Sequence, residues 1–244
     1  MKLYGLIGHP LTHSFSGKYF ADKFQREGIE GHDYRLFPIP RIEDLKELLE
    51  EHPDLAGLNV TIPYKEQVIP YLDELSPVVE KIGACNCIKI KNGKLTGYNT
   101  DVIGFRKTLE PKLLPHHDKA LVLGTGGAAK AVCHVLEELQ IGYTLVSRHP
   151  VSGGIQYEQI DQWIMASHRL IINTTPLGMH PKVDEAPRIP YEEVGPSHYL
   201  YDLVYNPDPT LFLMQGREQG AVTENGSEML VIQAEASWEI WNQG

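Results

Sequence analysis

A glycine turn between an apolar strand and an amphipathic helix limits most strongly how this chain can fold. The turn reads GTGGAA at residues 124–129, after the strand-like run ALVL and before the helix-like run AAKAVCHVLEEL. Gly124 permits a tight turn, Gly126 lets a pyrophosphate approach the backbone, and Ala129 allows the helix to pack closely on the strand. A turn that glycines tighten for packing alone is the alternative. We predict a dinucleotide site at this turn.

The strand after this helix ends at Ser147 and Arg148, and this pair bears on which dinucleotide is bound. An enzyme that uses NAD often has Asp or Glu at this place, where the carboxylate accepts hydrogen bonds from the ribose. A hydroxyl and a guanidinium instead suit a 2′-phosphate, which a carboxylate would repel. We therefore expect NADP rather than NAD. An Arg148 side chain that meets only solvent is the alternative.

The composition narrows the class of protein. Of 244 residues 42% are hydrophobic and 22% charged, and this length suggests two domains. No apolar run approaches the roughly 20 residues that span a bilayer, and no secretory signal is visible, so we expect a cytoplasmic protein without membrane contact. A net charge of −10 without basic clusters argues against a nucleic-acid partner. Three cysteines without a Cys/His cluster predict neither a disulfide framework nor a metal site.

The first hundred residues alternate strand-like and helix-like segments, which predicts an α/β fold. The runs 33–39 and 55–62 are typical of strands, and the run 42–51 is typical of a helix. Asn92 and Gly93 lie between two further strand-like runs and predict a hairpin. The segment PKLLPHHD at residues 111–118 is rich in proline and histidine, and we expect it to link the two domains.

Polar residues are concentrated where predicted strands of the first domain end. The segments are SFS at 14–16, NVTIPYK at 59–65, ACNC around Asn86, and YNTD at 98–101. In open α/β sheets, ligands bind outside the carboxyl ends of the strands. Hydroxyls, amides, one lysine and one aspartate form a suitable set for a small polyhydroxylated acid. Helix capping by the serines and by Asp101 is the alternative.

Lys65 is not explained by local structure. Pro63 suits the first turn of a helix, which would place Lys65 in that turn. The amino end of a helix carries partial positive charge and favours acidic residues, so a lysine there is mildly unfavourable. We therefore interpret Lys65 as a functional residue.

Taken together, these segments resemble the shikimate dehydrogenase family, which includes quinate dehydrogenases. The resemblance extends over nearly the whole chain and keeps the family's order and near-family spacing. Its segments are IGHPLTHSFS, GLNVTIPYK, IGACNCI, GYNTDVIGF, GTGGAA, NTTPLGM, YDLVYNP and EMLVIQA. The combination is highly specific, although no single segment would be.

The resemblance implies two domains with the active site in the cleft between them. Residues 1–101 with 227–244 would form a mixed α/β substrate domain, to which the C-terminal helix returns, and residues 102–226 a Rossmann-type NADP-binding domain. Lys65 and Asp101 would form the catalytic pair. Substrate contacts would be Ser14, Ser16, Asn59, Thr61, Asn86, Tyr205 and Gln233. Cofactor contacts would be Gly124, Thr125, Gly126, Gly127, Ala128, Ser147, Arg148, Thr174, Leu203 and Gly226.

The activity implied is the reversible, NADP-dependent reduction of 3-dehydroshikimate to shikimate in aromatic amino-acid biosynthesis, by a monomer or homodimer. Two alternatives stay open: a quinate or dual quinate/shikimate dehydrogenase that uses NAD, and a non-catalytic metabolite or nucleotide sensor. Ser16 and Arg148 favour the shikimate enzyme. The chain departs from the family where a second arginine commonly follows Arg148, since His149 to Ser152 lack one, and where Cys85 and Cys87 flank Asn86.

Overall fold

The computed structural model describes residues 1–11 and 14–243 of the chain, which divides into two units. Unit 1 consists of Met1–Ile103 and Gln233–Gly244, and unit 2 of Gly104–Ile232. The first division lies inside a helix, not in the segment 111–118 that the composition suggests as a linker. That segment lies within unit 2, because its prolines and histidines follow the helix and lead directly into a strand of the same unit.

Unit 1 begins with strands and helices in alternation. Its elements are β1 Lys2–Ile7, α1 Phe15–Glu27, β2 His32–Phe37, α2 Leu45–Glu51, β3 Leu55–Val60, α3 Tyr64–Gln67, β4 Glu74–Leu75, α4 Pro77–Ile82, β5 Cys87–Lys91, β6 Lys94–Tyr98 and α5 Asp101–Leu109, of which the last continues into unit 2.

The strands of unit 1 form a mixed sheet in the order β2-β1-β3-β5-β6-β4. The strands β1, β2 and β3 are parallel, whereas β5 is antiparallel to both β3 and β6. Asn92 and Gly93 form the predicted hairpin turn, and both have positive φ. Consequently the ends of β1, β3 and β6 and the beginning of β5 all lie at one edge of the sheet.

Both faces of this sheet are covered, because successive side chains of a strand point to opposite faces. Leu3 and Ile7 of β1 pack in one core with residues of α2 to α4, whereas Tyr4 lies on the other face. There it stacks with Trp241, whose indole N–H donates to the Ile88 carbonyl oxygen at 2.9 Å. Trp241 belongs to the C-terminal helix, which therefore lies on the first sheet as predicted.

Two local predictions for unit 1 differ from the structure. The segment predicted as one helix over 42–51 begins with a 3₁₀ turn, Ile42–Asp44, whose Asp44 carboxylate accepts from the Arg41 backbone N–H. The helix α3 begins at Tyr64, so Pro63 precedes the helix instead of occupying its first turn. The Tyr64 backbone N–H donates to the Thr61 carbonyl oxygen, which closes a tight turn over Pro63.

Unit 2 continues with the elements β7 Lys119–Leu123, α6 Gly127–Glu138, β8 Gly142–Ser147, β9 Gly154–Gln156, α7 Gln162–Ser167, β10 Leu170–Asn173, β11 Tyr199–Asp202, α8 Leu211–Glu218, β12 Val222–Glu224 and α9 Ser227–Asn242, of which the last extends into unit 1.

The sheet of unit 2 is parallel throughout, in the order β12-β11-β10-β7-β8-β9. This order, counted within the unit, is that of the Rossmann fold. The direction of the connections reverses between β7 and β10, and dinucleotides bind at this switch point. None of the helices in the described ranges combines the length and the hydrophobicity that a membrane-spanning segment requires.

Candidate active site

Lys65 and Asp101 form an ion pair in unit 1. The Lys65 ammonium donates to Asp101 Oδ2 at 2.7 Å, and both side chains are largely buried. Lys65 follows β3 and Asp101 follows β6, so the sheet places both at the same edge. The one-turn helix α3 carries only a small dipole, and the Asp101 carboxylate compensates the lysine charge at close range. The ammonium has three donors, of which Asp101 takes one.

Helix capping does not account for Asp101 or Ser14, two of the three polar residues for which capping was the alternative. Asp101 is directed to Lys65, while the Val102 backbone N–H donates its hydrogen bond to Asn99 Oδ1. Ser14 lies at the N-cap position of α1, yet its side chain makes no capping hydrogen bond. Neither the Asp101 nor the Ser14 side chain is therefore used to cap a helix.

Ser16 and Thr61 lie at the same edge of the sheet and are half-buried. Ser16 is in the first turn of α1, and its hydrogen bonding to Tyr34 opposes the rise that burial causes in the pKa of the Tyr34 phenol. The Thr61 backbone N–H donates to the Ile7 carbonyl oxygen at 3.0 Å, which fixes the residue beside β1. Within the described ranges, the Thr61 hydroxyl makes no hydrogen bond, so it is available to a ligand.

Asn86 precedes β5 and is oriented by Thr100. Its Oδ1 accepts from the Thr100 backbone N–H at 2.6 Å, and its Nδ2 donates to Thr100 Oγ1 at 3.0 Å. The Thr100 hydroxyl also donates to Oε1 of Gln233 at 3.4 Å. This hydroxyl thus brings the two predicted substrate amides, one from the sheet edge and one from α9, to the same place.

Asn59 differs from its predicted role as a substrate contact. It is 4% exposed, its Oδ1 accepts from the Tyr34 hydroxyl at 2.9 Å, and its Nδ2 donates to Ser237 Oγ at 2.9 Å and to the Asn86 carbonyl oxygen at 3.4 Å. Both amide hydrogens are therefore directed to protein atoms. The reason is its position inside β3, where the side chain faces α9 instead of open solvent.

The cysteines on either side of Asn86 are buried thiols. Burial raises the pKa of Cys85 to about 12 and also raises that of Cys87. Thiols of this kind are poor nucleophiles, because the thiolate is the reactive form. Among residues 1–11 and 14–243, no group of His, Cys, Asp and Glu could hold a metal ion.

The glycine turn of unit 2 has the geometry of a phosphate-binding loop. Gly124 has φ of +112°, and a Cβ there would lie 2.6 Å from Thr174 Oγ1. Gly126 precedes α6, and a Cβ on it would meet no atom within 4 Å. Open space in front of Gly126 and the amino end of a 12-residue helix form a site for an anion. These residues fit the pyrophosphate of a dinucleotide.

Ser147 ends β8, and Arg148 follows it on the surface. The Arg148 backbone carbonyl accepts from Gln156 Nε2, which ties this turn to β9. In the part of the chain that the structure describes, the Arg148 guanidinium forms no ion pair with a carboxylate. A serine and an arginine in succession at the end of this strand fit a 2′-phosphate.

The remaining predicted cofactor contacts follow the strands on the other side of β7. Thr174 follows β10 and is held to the glycine turn, because its backbone N–H and its hydroxyl both donate to the Leu123 carbonyl oxygen. Leu203 follows β11, and Gly226 packs directly on it: a Cβ at Gly226 would lie 2.3 Å from the Leu203 carbonyl oxygen. Tyr205 lies half-buried on the loop after β11, in unit 2.

Asp202, a buried carboxylate next to these loops, was not among the residues predicted from the sequence. Asp202 ends β11 and is 0% exposed, and it accepts from Asn173 Nδ2 at 2.9 Å, the Val204 backbone N–H at 3.0 Å and the Thr210 hydroxyl at 2.6 Å. Burial raises the pKa of Asp202 to about 6 against the opposing effect of these donors. The signal in the sequence was a carboxylate at the end of the largely apolar run HYLYD.

Comparison with known proteins adds independent information. A family model described as the shikimate dehydrogenase substrate-binding domain matches residues 6–88. The shikimate dehydrogenase (NADP(+)) of Methanococcus maripaludis strain C7 is 38% identical over 257 residues, covering 98% of this chain and 91% of the relative.

Solved structures agree with this similarity. The crystal structure of shikimate 5-dehydrogenase from Thermus thermophilus in complex with NADP(H) and shikimate has a TM-score of 0.88 at 30% identity, covering 99% of this chain and 94% of that one. Quinate dehydrogenase from Corynebacterium glutamicum in complex with NAD has a TM-score of 0.86 at 27% identity, covering 99% and 93%.

Proposed function

The chain belongs to the shikimate dehydrogenase family, and we propose that it catalyses the reversible, NADP-dependent reduction of 3-dehydroshikimate to shikimate, a step of aromatic amino-acid biosynthesis. The observation that carries the catalytic part is the Lys65–Asp101 ion pair of 2.7 Å, at the sheet edge where the Thr61 hydroxyl makes no hydrogen bond within the described residues. A catalytically idle sensor would not need a lysine and a carboxylate paired in this position.

The cofactor is held by the carboxyl edge of the second sheet. The glycine turn at 124–128 and the amino end of α6 bind the pyrophosphate, and Ser147 and Arg148 bind the 2′-phosphate. Thr174, Leu203 and Gly226 border the other half of the same edge. When bound, NADPH supplies the hydride that reduces the substrate ketone.

The substrate is held by the edge of the first sheet through complementary hydrogen bonds. The hydroxyls of Ser14 and Ser16 bind the carboxylate of the substrate, and Thr61, Asn86 and Gln233 bind its ring hydroxyls. A compound that lacks one of these groups leaves a buried polar side chain unpaired, and such sites therefore discriminate strongly. The Asn59 side-chain amide donates to the backbone carbonyl oxygen of Asn86 and so helps to hold Asn86 in place. Tyr205 is a further proposed substrate contact.

Lys65 carries out the proton transfer. Ketone reduction creates negative charge on the oxygen, which the ammonium stabilises by hydrogen bonding and then neutralises by donating a proton. In the reverse direction Lys65 takes the proton of the substrate hydroxyl. Asp101 Oδ2 holds the ammonium in place, and Oδ1 accepts from a neighbouring hydroxyl of the substrate.

The quinate alternative is separated by a four-way kinetic comparison. The wild-type protein is assayed with shikimate and quinate as substrates, each with NADP+ and NAD+. We expect the highest kcat/KM for shikimate with NADP+. Equal or higher values for quinate with NAD+ would establish the alternative enzyme, and no turnover with any pair would leave only the sensor.

The catalytic role of Lys65 is tested with Lys65→Met, which removes the charge and keeps most of the volume. We expect kcat to fall about 10²- to 10⁴-fold, the range typical of general acid–base groups, while the Kd for NADPH stays within about twofold. Lys46→Met is the control, because Lys46 is an exposed lysine of the same unit on α2. Near-normal kcat in Lys65→Met would refute the role.

A further inference from the structure

Asp202 occupies a position where a charged side chain is costly. It is fully buried at the end of β11, and within residues 1–11 and 14–243 no lysine, arginine or histidine forms an ion pair with it. The donors that the described residues direct to the carboxylate are neutral and come from Asn173, Val204 and Thr210. A buried charge that is not offset by a cation destabilises the fold. Its presence therefore calls for a function that a neutral residue could not perform.

The carboxylate joins three separate segments. Asn173 is paired with Asp202 in the register of β10 and β11, Val204 lies on the loop after β11, and Thr210 is the N-cap of α8. Thr210 uses its hydroxyl twice, since it donates to Asp202 Oδ2 and accepts from the Leu213 backbone N–H. One carboxylate oxygen accepts from Asn173 and Val204 and the other from Thr210, whereas an amide has a single oxygen.

Asn173 extends this junction into the loop after β10. Its Oδ1 accepts from the Thr175 backbone N–H at 3.0 Å and from the Thr175 hydroxyl at 2.6 Å. Its carbonyl oxygen accepts from the Leu203 backbone N–H at 3.0 Å. Asn173 and Thr175, which lie on either side of Thr174, are thus anchored to the Asp202 carboxylate. Leu203 is anchored to the same carboxylate through Asn173.

The position of these loops relative to the glycine turn decides what they hold. In a sheet of this order the dinucleotide lies across the switch point between β7 and β10. The end of β8 therefore flanks one half of the dinucleotide, and the ends of β10 and β11 flank the other half. Since Ser147 and Arg148 at the end of β8 suit the phosphorylated ribose, the loops after β10 and β11 flank the nicotinamide half.

We infer that Asp202 is a positioning residue for the nicotinamide half of the cofactor, because its buried carboxylate fixes the loops on which Thr174 and Leu203 lie. This inference rests on the proposed use of NADPH. It assigns to Asp202 no contact with the cofactor, and no part in proton transfer.

The test compares two ligands in Asp202→Asn by isothermal titration calorimetry without substrate. NADPH occupies both halves of the site, whereas adenosine 2′,5′-bisphosphate occupies only the half at the glycine turn and Arg148. We expect the Kd for NADPH to rise about tenfold, as for the loss of one strong hydrogen bond, and the Kd for the bisphosphate to stay within about twofold. Asp118→Asn is the control, an exposed aspartate of unit 2 before β7 at the opposite edge of the sheet, and it should change neither value.

Equal Kd values for NADPH in Asp202→Asn and wild type would overturn the inference. An equal loss of affinity for NADPH and for the bisphosphate would overturn it too, because it would indicate a general disturbance of unit 2. If Asp202→Asn is not soluble, Thr210→Val removes one of the three donors and should show the same selective loss, smaller in size. A wild-type protein that binds NADPH but does not oxidise shikimate would refute the proposed reaction and leave this inference intact.

Discussion

Replacing Asp202 with asparagine should change how the stability of the protein depends on pH. The carboxylate is 0% exposed, and its pKa is raised from the ordinary value of 3.8 to about 6, because burial disfavours the charged form more than three hydrogen bonds favour it. Asparagine has nearly the same shape and no charge. The variant therefore removes the ionisation and keeps most of the packing.

The sign of the effect follows from the direction of the shift. Because the folded-state pKa is higher than the unfolded one, protonation of Asp202 stabilises the folded protein. That contribution is complete below about pH 3.8 and is lost as the pH rises through about 6. At roughly 1.36 kcal/mol for each pKa unit, the ionised side chain lowers the free energy of unfolding by about 3 kcal/mol at neutral pH.

Within the described residues, the Tyr191 phenol is a titratable group that interacts with the Asp202 carboxylate, and burial raises the pKa of this phenol. The phenol therefore stays neutral throughout the acidic and neutral range, and Asp202 alone accounts for the expected change. Of the loss of about 3 kcal/mol in the free energy of unfolding, about 2 kcal/mol occurs between about pH 4.5 and 7.5.

The measurement is urea unfolding of wild type and Asp202→Asn at several pH values, followed by far-ultraviolet circular dichroism. We expect the variant to gain about 2 kcal/mol relative to wild type between about pH 4.5 and 7.5. A difference between the two proteins that stays constant within about 0.5 kcal/mol would refute the reasoning, because it would show that Asp202 does not change its ionisation on folding. The comparison also separates stability from cofactor affinity: at neutral pH the variant should bind NADPH less tightly without being less stable.

Three further substitutions have defined expected outcomes. Arg148→Ala should weaken NADPH binding about tenfold or more and leave NADH binding within about twofold, and an unchanged ratio of the two Kd values would place the guanidinium outside the 2′-phosphate site. Gly226→Ala should raise the Kd for NADPH, because its Cβ would lie 2.3 Å from the Leu203 carbonyl oxygen and that backbone must move; unchanged binding would contradict the packing. Gly57→Ala should lower the free energy of unfolding by about 1–3 kcal/mol, because the new Cβ would lie 2.3 Å from Nε1 of Trp241, and wild-type stability in urea would show that the C-terminal helix is not closely packed there.

Much of the fold could be predicted because its signals are local. The glycine turn at 124–129 and the Asn92–Gly93 hairpin depend on backbone conformations that few residues adopt, so their sequences predict them directly. The alternation of apolar runs with amphipathic segments predicted the α/β class. The prediction of a domain linker at 111–118 differs from the structure. Proline and histidine indicate a break in regular structure, whereas the division into units depends on which residues pack together.

The candidate site was predictable to the extent that its residues end strands. Lys65 and Asp101 follow parallel strands, and the sheet brings their side chains within 2.7 Å. Asn59 shows the limit of this reasoning. Its position in the segment NVTIPYK suggested a ligand contact, yet Tyr34 and Ser237, which are remote in the sequence, take up its amide.

By itself, the sequence determined most of the elements, the glycine turn, the expected preference for a 2′-phosphate and the family to which the chain belongs, because each rests on residue types in short segments. Only the tertiary structure decided which polar side chains remain available to a ligand and which are used by the protein. Whether an amide or carboxylate is satisfied depends on partners from distant segments, as Asn59 and Asp202 show. Lys65 owes its place to the same physics: a charge that its own helix does not favour is stabilised by a carboxylate 36 residues away, at the edge where two strands end together.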